Sequence, residues 1–201
     1  EGYPVRSVFS IPFVGLNKEG FPVFIGHDGK ETTTGIYFQE TDKDLLSFLE
    51  YSGSADPTDV GSFGNVFKYK GFTLNVFVTY SFGNKVRLDP VFASKYTDLT
   101  ATPKEFKNRW VVPGDELKTD IPVIPSARQN RNDTDLSYAY SAYNYSTARI
   151  AKGDFIRMKE ISLSYDFPQS LISPLKLNSL SLKLQATNLF LIYAAKKLNG
   201  Q

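Results

Sequence analysis

Residues 155–168 read FIRMKEISLSYDFP. In the second half of this stretch Ile161, Leu163, Tyr165 and Phe167 alternate with Ser162, Ser164 and Asp166. Successive side chains of a strand point to opposite sides, so the alternation predicts one apolar and one polar face. Two surroundings accept such a strand: the core of a soluble sheet protein, or lipid.

Residues 63–82, FGNVFKYK and FTLNVFVTYSF around Lys70–Gly71, predict a tight hairpin. On its second strand Phe72, Leu74, Val76, Val78, Tyr80 and Phe82 share a face, with Phe77 the exception on the polar side. That face is aromatic at both ends and aliphatic between them. A soluble core has no reason for this order, whereas a membrane strand places aromatic girdles at its two interfaces. The run also has the roughly 9–11 residues that cross a bilayer at a tilt. A third run, SLSLKLQATNLFLIY at 179–193, sets Leu180, Leu182, Leu184, Ala186 and Phe190 against Ser181, Lys183, Gln185 and Thr187.

Between the hairpin and the opening stretch lie about seventy residues, 83–153, with little regular pattern. Loops that long are seldom passive in a compact domain. TPKEFKNRW predicts a short helix near 103–110, with Thr102 as cap, Pro103 first and Glu105 as capping-box partner. Residues 43–51, KDLLSFLEY, have helix-like spacing over a short run. Long crossing strands, short turns on one side and long loops on the other make the pattern of an outer-membrane barrel.

Charge tests the lipid reading. A lipid-facing cation costs roughly 2–4 kcal/mol at the midplane and little at the interfaces. Lys183 falls on the polar face. On strict alternation Arg157 and Lys159 fall on the face of Leu163 and Phe167, which puts Arg157 at the upper edge of the apolar band and requires Lys159 to snorkel. Asn188 is a mild misfit among Leu184, Ala186 and Phe190.

Composition narrows the function classes. A net charge of +2 argues against nucleic acid. The chain has no cysteine, hence no disulfide scaffold and no thiolate metal site. No window approaches the 18 or so apolar residues of a membrane helix. The first residues, EGYPVRS, do not look like a protein start, so the chain reads as a piece of something longer. His27, the single histidine, sits in the turn sequence GHDGK and reads as a solvated residue. Asp115 and Glu116 are adjacent in PGDE and point apart in an extended loop, which is poor geometry for an acid–base pair. The sequences NDT at Asn132 and NYS at Asn144 fit the glycosylation acceptor pattern.

Four segments occur in order: FGNVFKYKGFTLNVFVTYSFGNKV, NRWVVPGDELKTDIPVIP, GDFIRMKEISLSYDFP and ATNLFLIY. Together they resemble the C-terminal barrel region of the SusC/RagA family of TonB-dependent outer-membrane transporters of Bacteroidetes. The opening EGYPVRSVFSIPFVGLNKEGFPVF resembles the loop-rich part before it. The resemblance implies an all-β fold, part of a large transmembrane antiparallel β-barrel of 22 strands with long extracellular loops. It implies an N-terminal plug and a TonB box outside this chain, a SusD/RagB-like surface lipoprotein as lid, and glycan or peptide cargo. It implies the bacterial outer membrane as location, with outer-membrane lipid and the remainder of the barrel chain as surroundings. No cofactor, metal or catalytic residue is implied.

On this reading residues 1–62 are a loop-rich segment with short strands and 63–82 a transmembrane hairpin. Residues 83–153 are a long extracellular loop, 154–193 a second transmembrane hairpin, and 194–201 the start of the next loop. The lipid-facing side chains are Phe72, Leu74, Val76, Val78, Tyr80, Phe82, Ile161, Leu163, Tyr165, Phe167, Leu180, Leu182 and Leu184. Trp110, Tyr138, Tyr140, Tyr143, Tyr145 and Arg149 are candidates for contact with cargo or lid, since Tyr and Trp favour interfaces and Arg suits acidic groups. The bland alternative is that these aromatics pack the loops together, and that Arg128, Arg131 and Arg149 are solvated. The rival protein class is a soluble β-sandwich carbohydrate-binding module, which needs a second sheet over residues 72–82. A glycosidase ranks third.

Overall fold

The computed structural model describes residues 2–34, 36, 48–92, 104–126, 128–129 and 134–196. The chain divides into two units: Pro57–Asn84 with Gly153–Ala195, and the remainder. In chain order the strands are β1 (Ser7–Ser10), β2 (Phe13–Leu16), β3 (Pro22–Ile25), β4 (Glu31–Thr32), β5 (Glu50–Ser54) and β6 (Asp59–Tyr69). They continue with β7 (Phe72–Phe82), β8 (Lys85–Arg87), β9 (Ile150–Lys152), β10 (Phe155–Asp166) and β11 (Ser181–Ala194). The α-helices are α1 (Thr134–Asn144) and α2 (Gln169–Ile172).

The first unit is a four-stranded antiparallel sheet in the order β11-β10-β7-β6. The β6–β7 turn places Lys70 at φ 43° and Gly71 at φ 84°, both left-handed, as a tight hairpin turn requires. A Cβ on Gly71 would lie 2.9 Å from the Asp166 carbonyl oxygen, so glycine also permits the close approach of β10.

Register sorts the side chains into rows. Tyr69, Phe72, Tyr165 and Leu182 stand opposite one another, as do Phe67, Leu74, Leu163 and Leu184. Val76, Ile161 and Ala186 follow with Asn65, then Phe63, Val78, Met158 and Phe190, then Tyr80, Ile156 and Tyr193 with Gly61. The other face carries Lys68, Thr73, Ser164 and Lys183, then Asn75, Ser162 and Gln185 with Val66. Rings gather at both ends of the apolar face: Phe72 with Tyr165 at 4.4 Å, and Tyr80 with Phe82 at 5.6 Å. Phe63 and Leu184 remain 67% and 65% exposed, so among the described residues no second sheet covers this face as a sandwich would require.

The structure departs from strict alternation at one place. Glu160 opposes Phe77, but Val78 is opposed by Met158, leaving Lys159 as an extra residue in a β-bulge. The bulge reverses the parity of the strand before it. Arg157 therefore opposes Thr79 and Ser62 on the polar face, where simple alternation had placed it among the apolar side chains. The partner strand yields at the same level. Glu160 opposes Thr187 and Met158 opposes Phe190, and Asn188 takes φ 51°. The Lys159 ammonium donates to Asn188 Oδ1 at 2.9 Å, so the two misfits of the sequence pattern satisfy each other.

The second unit is mixed in its secondary structure. It contains the pairs β1–β5 and β8–β9 and the three-stranded β2-β3-β4 sheet. Its core comprises Ile11, Phe24, Ile36, Val91, Phe92, Ile121 and the inner face of α1. Leu136, Ala139, Tyr140 and Tyr143 supply that face at helical spacing. The helix expected near 103–110 is a 3₁₀ turn over Lys104–Asn108, while its cap at 102–103 lies outside the described residues. Most of KDLLSFLEY lies outside them as well; its last residues begin β5.

Candidate functional site

The segment 109–123 is built around Trp110. Gly20, at φ 81°, closes the β2–β3 turn and lies flat on the indole; a Cβ there would come within 3 Å of several ring atoms. The indole Nε1–H donates to Glu116 Oε2 at 3.0 Å, and the Gly114 N–H donates to the same oxygen at 2.7 Å. Asp115 Oδ2 accepts from the N–H groups of Val111 and Val112 at 3.2 and 3.1 Å. Trp110 N–H donates to the Ile121 carbonyl, and Val123 N–H to that of Gly20. The adjacent carboxylates are thus consumed in tying a loop.

Those bonds act on the charged carboxylates. The backbone hydrogen bond from Val112, first among its causes, holds Asp115 below its ordinary range. The Trp110 indole does the same for Glu116.

The tyrosines divide. Tyr140 is buried and donates from its hydroxyl to the Val123 carbonyl. Tyr143 is 1% exposed, with Phe92 at 5.7 Å and Phe13 at 5.6 Å, and burial pushes its hydroxyl well above the usual tyrosine range. Tyr138 and Tyr145 are exposed, and the Arg87 guanidinium lies 5.3 Å from the Tyr145 ring. Burial lowers the pKa of Arg87, which also donates to the Phe9 carbonyl at 2.7 Å.

Arg149 is 2% exposed. Its Nη1 lies 2.5 Å from Glu105 Oε1, and its Nη2 donates to the Asp89 carbonyl at 2.6 Å. It pins the 3₁₀ turn at Lys104–Asn108 to the chain after α1. Of the six contact candidates, Tyr138 and Tyr145 alone are exposed; Trp110, Tyr140, Tyr143 and Arg149 are buried.

Sequence reading missed the role of Asn144. Its Oδ1 accepts from the N–H groups of Val91 and Phe92 at 3.1 and 3.4 Å, and its Nδ2 donates to the Phe92 carbonyl at 2.8 Å. A sequon was visible there, but no sequence signal gave this bracket. His27 is exposed, its ring 4.0 Å from that of Phe48. Among the described residues no cluster of His, Cys, Asp and Glu could hold a metal.

No family model matches the chain. It is 28% identical over 135 residues to TonB-dependent receptor P39 of Formosa agariphila, covering 65% of this chain and 12% of that receptor. The RagAB peptide importer in its open-open state superposes with a TM-score of 0.63 at 22% identity, over 96% of this chain and 19% of that one. The closed-closed state gives a TM-score of 0.60 at 21% identity, over 92% and 19%. The chain thus spans less than a fifth of each of these relatives. The fold is that of the matching segment of these solved importer chains. More particularly, 135 residues of the chain are similar to part of a TonB-dependent receptor, and the chain has the fold of the matching part of the RagAB importer. These relatives are, by name, a TonB-dependent receptor and a peptide importer.

Two outcomes test the tryptophan loop. Gly20→Ala drives a methyl group into the indole at a left-handed position and should cost about 2 kcal/mol, read as faster proteolysis of segment 109–123 in the parent protein. Glu116 has a folded pKa below its ordinary 4.5, so its contribution is complete above that value. It is lost as pH falls through the depressed pKa. Hydrogen exchange at the Trp110 amide should therefore accelerate in acid below that range, and Glu116→Gln should flatten the acid dependence.

Proposed function

We propose that this chain is wall and loop of a SusCD-type nutrient importer, taking up oligopeptides or glycans under a RagB-like surface lipoprotein and driven through TonB. The carrying observation is the two-faced sheet, apolar and aromatic-banded on one side and hydroxyl-, amide- and charge-bearing on the other. The apolar rows from Phe72–Phe82, Ile161–Phe167 and Leu180–Leu184 face lipid. The rows with Lys183, Ser162, Asn75 and Glu160 face the lumen, where Asn75 Nδ2 donates to Glu160 Oε1 at 3.2 Å. Both edges of the sheet, β6 and β11, need further strands, since lipid leaves no unpaired backbone unpunished. Segment 83–153 is the extracellular part, with Tyr138 and Tyr145 offered to lid or cargo.

Fractionation of the native envelope tests this. The parent polypeptide should appear in the outer membrane and co-purify with a surface lipoprotein, and its deletion should abolish growth on the imported oligomer while sparing growth on the monomer. Recovery in a soluble fraction overturns the reading.

The bulge gives a second test. Without the bulge Met158 would lie on the polar face; with it, Met158→Arg sets a guanidinium on the apolar face opposite Val78. A cation there costs roughly 2–4 kcal/mol at midplane and less toward an interface. The refolded parent barrel should lose stability of about that order in urea titration, while Met158→Leu should lose little.

A further inference from the structure

The β10–β11 connection stands at the same end of the sheet as the β6–β7 turn, beyond the row of Tyr69, Phe72, Tyr165 and Leu182. Phe167 extends that row, its ring 4.9 Å from that of Tyr165, and its N–H donates to the Leu180 carbonyl at 3.0 Å. Past it the chain makes α2 and then a 3₁₀ turn at Ser173–Leu175. A turn bathed in water gains nothing from leucine. Here Leu171, Leu175 and Leu177 are exposed, the first two to 61% and 66%.

Hydrogen bonds fix this turn. Lys176 takes φ 57°, its N–H donates to the Ser173 carbonyl at 3.0 Å, and the Leu177 N–H reaches back to that of Ile172 at 3.4 Å. These two bonds close a Schellman motif. Ser173 Oγ donates to the Gln169 carbonyl at 2.7 Å, and Ile172 is buried. Leu171 and Leu175 are thus held outward by a tied backbone.

Left-handed positions favour Gly, Asn or Asp. Lys176 occupies the one in this turn. Lys70, at φ 43°, occupies the one that opens the β6–β7 turn, where Asn is usual. Both lysines are exposed, and among the described residues neither has an ion-pair partner. The Lys70 ammonium lies 5.3 Å over the Tyr69 ring, the posture of a lysine whose stem follows apolar surface while its head reaches outward.

Backbone geometry does not ask for lysine at either position; an anionic surface does. We propose that the β10–β11 connection is an interfacial foot, seated in the phospholipid leaflet at the short-turn end of the sheet. Leu171 and Leu175 enter the acyl boundary, and Lys176 and Lys70 meet lipid phosphates. This rests on the lipid-facing reading of the apolar rows and is continuous with them, since Leu177 and Leu180 lead into Leu182 and Leu184. The foot fixes the height at which this wall sits in the leaflet.

The test uses the full parent protein in vesicles of phosphatidylethanolamine and phosphatidylglycerol. It carries one nitroxide at Leu171→Cys, Leu175→Cys or, as the polar control, Ser170→Cys. The chain has no cysteine of its own, so each label is unique within it. Oxygen should relax the labels at 171 and 175 more than a water-soluble nickel chelate does. Their ratio should place both about 5–10 Å into the headgroup–acyl boundary, with 170 above it. Lys176→Gly and Lys70→Asn suit a left-handed backbone better than lysine, so neither hinders folding. Each should lower the phosphatidylglycerol retained through detergent purification about fivefold. Nickel-dominated relaxation at 171 and 175 overturns the proposal, and so does shielding from both reagents, which marks a protein partner instead. Unchanged phosphatidylglycerol retention in both lysine variants overturns it too. Outer-membrane recovery of the parent is scored separately, so the foot can fail while the importer reading stands.

Discussion

The pairing of β7 with β10 is the constraint on which the sheet depends. It joins two hairpins separated by some seventy residues, and its register decides which side chains share a face. Period-two geometry makes that decision all-or-none: a slip of one residue exchanges the faces completely. Phe72 against Tyr165, Leu74 against Leu163 and Val76 against Ile161 align three apolar rows at once. At its far end Gly83 N–H donates to Asp154 Oδ1 at 2.8 Å, and Gly153 N–H to the Asn84 carbonyl at 2.9 Å. The long excursion thus leaves and re-enters through a tied neck.

Within that register, two glycines and a bulge absorb what alternation cannot. Phe77 stands on the polar face opposite Gly64, and a Cβ on that glycine would be 2.8 Å from its ring. Tyr80 covers Gly61 in the same way on the apolar face. Each ring occupies the space its glycine leaves, a pairing that favours the observed register. The bulge at Lys159 does for charge what these pairs do for volume, sending Arg157 to the side where a guanidinium is tolerated.

The loop unit follows a different economy. Its polar side chains act as backbone brackets: Asn17 in a turn, Asn144 across Val91 and Phe92, Asp115 and Glu116 around Trp110. Irregular backbone carries donors and acceptors without ladder partners, and buried ones must be satisfied by side chains. This explains why so many residues that look like chemistry in the sequence are structural here. Arg149 is the plainest example, buried against Glu105 and the Asp89 carbonyl.

Much of the sheet was legible in the sequence: both hairpins, the Lys70–Gly71 turn and the apolar rows follow from side-chain parity. Alternation is a local property, so it survives without knowledge of partners. The bulge was not legible, because an extra residue is defined only by what stands opposite it, and FIRMKEIS reads smoothly either way. Nor was α1. Tyr138 and Tyr140 suggest period two as readily as Leu136, Ala139, Tyr140 and Tyr143 suggest a helix, and packing on Phe92 and Phe13 settled it. The sequence by itself determined a strand-built, two-faced wall with a long loop. Only tertiary structure decided where Arg157 points and which tyrosines remain outside, because burial and cross-strand pairing are relations between segments far apart in the chain.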